Sequence, residues 1–233
     1  MNKDELNKLF DQQAAGYDKQ WSRLSAINEC LYLLLNSIFA DLPSDAHVMC
    51  VGAGTGRELI HLAERFPKWT FTAVEPSTEM VAICRQNIRD RGLETRCELH
   101  WGYVDSLPYA PSFDAATSFL VSQFILDEKD RVEFFKSVAA RLRPGGLLVN
   151  TDLSFDRSSA EYQELLKAWF RTMSSAELDA DAVARMQAAY ANDVAVLPPS
   201  KVSSILDLGG FRNPTEFFRA GLICGWFCKL ASS

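Results

Sequence analysis

The chain is poor in the residues that build metal centres and covalent cross-links. It holds three histidines and six cysteines in 233 residues. No CxxC pair occurs, and His47, His61 and His100 stand apart from each other and from any cysteine, which argues against a metal site. Cys30, Cys50, Cys84, Cys97, Cys224 and Cys228 are scattered, several within apolar patterns, and read as reduced, buried small hydrophobes rather than a disulfide frame. Excess positive charge is missing too: 24 Lys+Arg against 30 Asp+Glu give −6, so neither a nucleic acid nor a membrane surface is the expected partner. The most apolar stretch, 30–42, is broken by Asn36, Ser37 and Asp41 and is too short for ~30 Å of hydrocarbon. The polar start Met1-Asn2-Lys3-Asp4-Glu5 has no secretory pattern, and a cytoplasmic location is expected.

What is present is an ordinary globular composition, 48% hydrophobic and 23% charged. At roughly 150 residues per domain, the length suits one large domain or one with an appendage. Phe10, Ala14, Tyr17 and Trp21 recur at helical spacing, and a second apolar run, 27–39, follows. From His47 strands and helices alternate. Strands are predicted at 47–51, 70–74, 96–100, 113–120 and 147–151. The helices between them include one at 58–66, one capped by Ser77 and closed by Gly92, and one carrying Val132, Phe135, Ala139 and Leu142 before Pro144-Gly145-Gly146. Such alternation predicts a parallel sheet covered on both faces. Ser158-x-x-Glu161 and Ser174-x-x-Glu177 read as capping boxes opening two inserted helices. A shorter helix with Val202, Ile205 and Leu206 precedes two strands around Ala220-Gly221, a hairpin that makes the last strand antiparallel.

The run Gly52-Ala53-Gly54-Thr55-Gly56 joins the first strand to its helix, where glycines permit positive φ and close approach to a ligand. Its spacing is GxGxG; a dinucleotide fingerprint needs its third glycine at the place of Arg57, which weakens a pyrophosphate reading. Nineteen residues past Gly56, Glu75 ends the second strand, where a carboxylate can accept both hydroxyls of a ribose. Together with Val74-Glu75-Pro76, the segment from Gly102 to Pro108, Phe113-Asp114 and Leu142-Arg143-Pro144-Gly145-Gly146-Leu147, this loop resembles the ordered motifs of class I S-adenosylmethionine-dependent methyltransferases over about 45–151.

That resemblance implies a doubly wound, Rossmann-like α/β sheet of seven strands with an antiparallel last strand. It implies one methyltransferase domain: N-terminal lid helices at 1–44, a core of 45–155 and 200–233, and a helical insertion at 156–199. It also implies S-adenosylmethionine as cofactor, S-adenosylhomocysteine as product, and binding residues Gly52, Ala53, Gly54, Gly56, Glu75, Pro76, Val104, Asp105 and Phe119. Phe10-Asp11, Ala14 and Tyr17-Asp18 are similar to the lid helix of small-molecule members, so a small-molecule acceptor is expected, from a monomer or a homodimer. Gln123-Phe124, the insertion and Leu208-Gly209-Gly210-Phe211 are similar to carboxy-S-adenosylmethionine synthases, without a counterpart for the arginine that holds the extra carboxylate. Two positions depart from the family: Cys50 replaces an acidic residue two before the first glycine, and Tyr103 replaces an aspartate at the adenine.

The substrate pocket is expected at Tyr17, Gln123, Asp152, Trp169 and Tyr190, each with an alternative. Tyr17 fits an amphipathic core face equally well, Gln123 a helix cap, Asp152 a strand-end carboxylate, and Trp169 and Tyr190 a helix core. If the acceptor arrives protonated, Tyr17 or Asp152 is the candidate base.

Overall fold

The computed structural model describes residues 2–109, 112–173 and 180–231. Two helices, α1 (Lys3–Trp21) and α2 (Ser25–Ile38), lead into alternating elements: β1 (His47–Val51), α3 (Arg57–Arg65), β2 (Thr70–Glu75), α4 (Thr78–Arg89), β3 (Cys97–Trp101), β4 (Phe113–Phe119), α5 (Glu128–Ala139) and β5 (Leu142–Leu153). Then come α6 (Glu161–Met173), α7 (Ala180–Asn192), α8 (Pro199–Leu208), β6 (Phe211–Ala220) and β7 (Ile223–Leu230). The sheet runs β3-β2-β1-β4-β5-β7-β6. β1 to β5 pair in parallel, and β7 is antiparallel to both β5 and β6. Strand order reverses between β1 and β4, and at such a switch point a crevice opens outside the carboxyl ends of the strands.

Both faces of the central strands are covered, so they are buried on both sides rather than alternating between core and solvent. Along β1, Val48 and Cys50 point to one layer with Leu35 and Phe39 of α2, Leu59 and Leu62 of α3, and Ile88 of α4. Met49 and Val51 point the other way, to Phe135 and Val138 of α5, Val202 and Ile205 of α8, and Trp226 of β7. This period of two is what places alternate residues on opposite faces. A third cluster joins the inserted helices, through Tyr162, Leu166, Trp169 and Phe170, to Leu24, Leu31, Phe218 and Ile223.

Local signals explain most boundaries. The Ser77 hydroxyl accepts from the Met80 amide at 3.2 Å and starts α4, and the Asp127 carboxylate caps α5 at the amides of Lys129 and Asp130. Gly221 turns the β6–β7 hairpin at φ 59°, where a Cβ would lie 2.6 Å from the Trp169 ring.

Three expectations are corrected. Leu142 and the Pro144-Gly145-Gly146 segment belong to β5 instead of closing α5, because the Arg141 carbonyl already accepts from Ser112 and Phe113 beside β4. Ser158 does not cap α6: its hydroxyl donates to Asp156 at 2.6 Å, and the helix begins at Glu161. Cys30 is exposed rather than buried. The Ser174-x-x-Glu177 signature lies outside the described residues. Among the described residues, no helix is long and apolar enough to cross a membrane, and no His/Cys/Asp/Glu group is arranged to hold a metal ion.

Candidate functional site

From the end of β1 the chain turns through a loop in which Gly52, Gly54 and Gly56 take φ of 66°, 55° and 86°. A Cβ on Gly52 would collide with Val121, and one on Gly56, the left-handed N-cap of α3, would lie 2.7 Å from Cys84 Sγ. At Gly54 the nearest atom is a Tyr17 ring carbon at 4.0 Å, so the loop leaves open space at its crest. Glu75 locks it in place. Its Oε2 accepts from the Gly54 amide and its Oε1 from the Ser77 amide, both at 2.9 Å, and the residue is 6% exposed. Burial raises its pKa, while the two amide bonds pull the other way.

A cavity of about 630 Å³ lies over this corner, within the size range of small-molecule sites. Gly52, Gly54, Glu75 and Pro76 line its floor, Tyr103, Val104 and Asp105 one side, and Phe119 and Leu120 the other. Leu120 has φ 57°, costly for a branched side chain, and is held there by its amide donating to the carbonyl (2.9 Å) and hydroxyl (3.1 Å) of Thr151.

Helix α1 forms the roof, with Phe10 and Tyr17 facing the cavity. It buries only Ala14 and is fastened by polar contacts. The Asp11 carboxylate accepts from Ser77 Oγ at 2.6 Å and from the Glu79 amide at 3.1 Å, and the Asp18 carboxylate accepts from Thr55 Oγ1 at 2.7 Å. At the far end the Tyr103 hydroxyl donates to Asn7 Oδ1 at 3.0 Å, and Lys3 Nζ sits 4.5 Å from the Tyr103 ring and 3.9 Å from Asp105. Tyr103 therefore turns its polar tip toward the roof, where an aspartate would face the cleft.

A smaller chamber of about 80 Å³ opens beside the glycine loop; Tyr17, Gly52, Gly54, Phe119 and Leu120 line both spaces. Ala53, Arg57, Glu58 and Tyr32 line the chamber alone. Burial pushes the Glu58 carboxyl up to about 8. Glu58 went unnoticed in the sequence, although it occupies the apolar stripe of α3 with Leu59, Leu62 and Ala63, a position where an unexplained acid is itself a signal.

The expected substrate residues are largely elsewhere. Asp152 is fully buried: Arg131 Nη2 lies 2.9 Å away, and its oxygens accept from Ser122 Oγ and Asn150 Nδ2. It is an internal ion-pair anchor, closed to a ligand. Gln123 is a pin rather than a pocket wall, its Oε1 accepting from the Leu153 amide at 2.8 Å. Trp169 donates its indole N–H to the Tyr190 hydroxyl at 2.7 Å, and Tyr190 meets Phe170 edge-on, so these rings pack in the third core cluster and do not line the cavity. Tyr17 does face the cavity. Burial first, then Glu58, Glu75 and Asp18, push its phenol up, so it stays protonated and can donate but not act as the base.

The comparisons agree with this geometry. Residues 48–146 match the family described as a methyltransferase domain. The chain is 29% identical over 171 residues to a malonyl-[acyl-carrier protein] O-methyltransferase of Marinomonas sp., covering 72% of this chain and 57% of that protein. It is 32% identical over 106 residues to a carboxy-S-adenosyl-L-methionine synthase of Chromohalobacter salexigens, covering 45% of this chain and 38% of that one. The chain thus spans less than two thirds of the length of either relative. In fold it is similar to a SAM-dependent methyltransferase from Methanosarcina mazei, with TM-score 0.62 and 17% identity over 84% of this chain and 97% of that one. Residues 48–146 thus match a methyltransferase domain, and the relatives and the fold support a class I S-adenosylmethionine-dependent methyltransferase.

Proposed function

We propose that the protein transfers a methyl group from S-adenosylmethionine to a small-molecule acceptor, releasing S-adenosylhomocysteine. The observation that carries this reading is the Glu75 carboxylate, fixed by two backbone amides at the edge of a large cavity beside the open crest of Gly54. Each of its oxygens accepts one of those bonds and keeps acceptor capacity for a ribose hydroxyl. Pro76, Val104, Asp105 and Phe119 line the space where an adenine would lie next to that ribose.

The bound donor supplies an activated methyl sulfonium. The protein's task is then to align acceptor and methyl and to keep water out, and positioning alone supplies up to roughly 7–11 kcal/mol. Gly52 and Gly54 let the main chain approach the ligand closely, Phe119 and strained Leu120 make an apolar wall, and α1 covers the cleft with the protonated Tyr17 hydroxyl as a donor. The relative named as an O-methyltransferase favours an oxygen acceptor.

Incubating the protein with methyl-labelled donor and a broad metabolite extract tests the reading; label is expected in a small molecule. Donor binding without any transfer would leave a regulator rather than an enzyme. A second reading, a carboxylated donor, draws on the 32% identity to the synthase. No arginine lines the large cavity among the described residues, and its one lysine, Lys3, already pairs with Asp105. Native mass spectrometry of the purified protein is therefore expected to show unmodified donor or its demethylated product.

A further inference from the structure

Two carboxyl groups lie under the glycine loop, and they are treated differently. Glu75 accepts two backbone amides. Glu58, 7% exposed in the first turn of α3, accepts from Thr117 Oγ1 at 3.3 Å, and no cation pairs with it among the described residues. A buried carboxyl without a cation is expensive to keep and calls for an explanation. Its surroundings supply one. Glu58 faces the small chamber, and Arg57, the next residue along the helix, faces the same space. The chamber therefore offers one acid and one base to whatever enters from the large cavity. Its volume of about 80 Å³ equals roughly two or three waters at ~30 Å³ each, room for the end of an amino acid but not for a purine.

We infer that this chamber receives the α-amino-acid end of the donor, with Glu58 holding its ammonium and Arg57 facing its carboxylate. The inference rests on the reading of the cleft as a donor site. It also accounts for the departure at Cys50. The acid missing from β1 is supplied from α3, close enough that, after burial itself, Glu58 pushes the buried Cys50 thiol up. The groups facing Glu58 are the phenols of Tyr17 on α1 and Tyr32 on α2, the thiols of Cys50 on β1 and Cys84 on α4, Glu75 on β2 and Arg57 beside it. Burial pushes both phenols and both thiols up, so they remain neutral near pH 7. Glu58, at about 8, holds its proton until an ammonium arrives.

Calorimetric titration with S-adenosylhomocysteine and with 5′-methylthioadenosine, which lacks the amino-acid end, separates the possibilities. Glu58→Gln is expected to weaken S-adenosylhomocysteine by roughly 30-fold or more and to leave methylthioadenosine unchanged. The amide mimics the neutral acid, so the fold is preserved. In the wild-type protein at pH 7, titrations in buffers of different ionisation heat are expected to show about one proton released with S-adenosylhomocysteine and none with methylthioadenosine. Equal effects of the variant on both ligands, or equal proton counts, would overturn the assignment of Glu58 while leaving the donor cleft intact. Failure of both ligands to bind the wild-type protein would overturn the donor reading and this inference with it.

Discussion

The floor and the roof of the cleft are built by opposite means. The floor is made of strand ends with apolar layers on both sides, and its buried strand-end carboxylate, Glu75, is tied to main chain at two points. The roof is a 19-residue helix that buries a single alanine and is held by side-chain contacts from Asp11, Asp18, Asn7 and Lys3. Main-chain anchoring and buried area resist local opening, whereas part-buried side-chain hydrogen bonds contribute about 1 kcal/mol each. The difference teaches that the floor is fixed by main chain and buried area, whereas the roof depends on a few side-chain contacts.

The largest effect is expected beneath the floor. Asp152→Ala would strand the buried Arg131, at a cost of about 3–5 kcal/mol, read as a lowered urea midpoint. An unchanged midpoint with lost activity would instead restore Asp152 as a base. Glu75→Ala comes next: S-adenosylhomocysteine affinity should fall on the order of 100-fold, about 3 kcal/mol, with a native circular dichroism spectrum. Binding within a few-fold of wild type would break the contrast, since the floor would then not be what grips.

A third prediction concerns pH. The Glu58 carboxyl is raised from its ordinary value of 4.5 to about 8 by burial. Between those values the folded protein keeps a proton that the unfolded chain has lost. Stability of the ligand-free protein should therefore fall as pH rises through this window, and Glu58→Gln should flatten that slope. Identical slopes for the two proteins would contradict it. The smallest effects belong to the roof. Asp11→Ala and Asp18→Ala should each lower stability by about 1 kcal/mol or less, yet speed ligand dissociation several-fold and expose α1 to protease. A larger stability loss than that of Asp152→Ala would reverse the comparison.

The same division explains what could be read before the structure. The strand ends, the glycine loop and Glu75 are legible because period-two apolarity, turn glycines and a strand-terminal acid are local patterns. The roof's anchors are not: Asp11 meets Ser77 across 66 residues and Asp18 meets Thr55 across 37, distances at which periodicity is silent. In the sequence Asp152 and Gln123 read as lying just past strands, where ligand-facing residues stand, yet Asp152 falls within β5 and pairs with Arg131, and Gln123 is taken by the Leu153 amide. Trp169 and Tyr190 share helical spacing with a cage but satisfy one another. Glu58 escaped because an acid in the first turn also suits the N-terminus of any helix, and only the packing of α3 against the sheet shows that it is buried.

The most direct measurement is a crystal structure with S-adenosylhomocysteine bound. The ribose hydroxyls are predicted on Glu75, the adenine between Val104 and Phe119, and the amino-acid end in the chamber of Glu58. A nucleoside bound elsewhere, or bound there with Glu75 still occupied only by the amides of Gly54 and Ser77, would contradict the account.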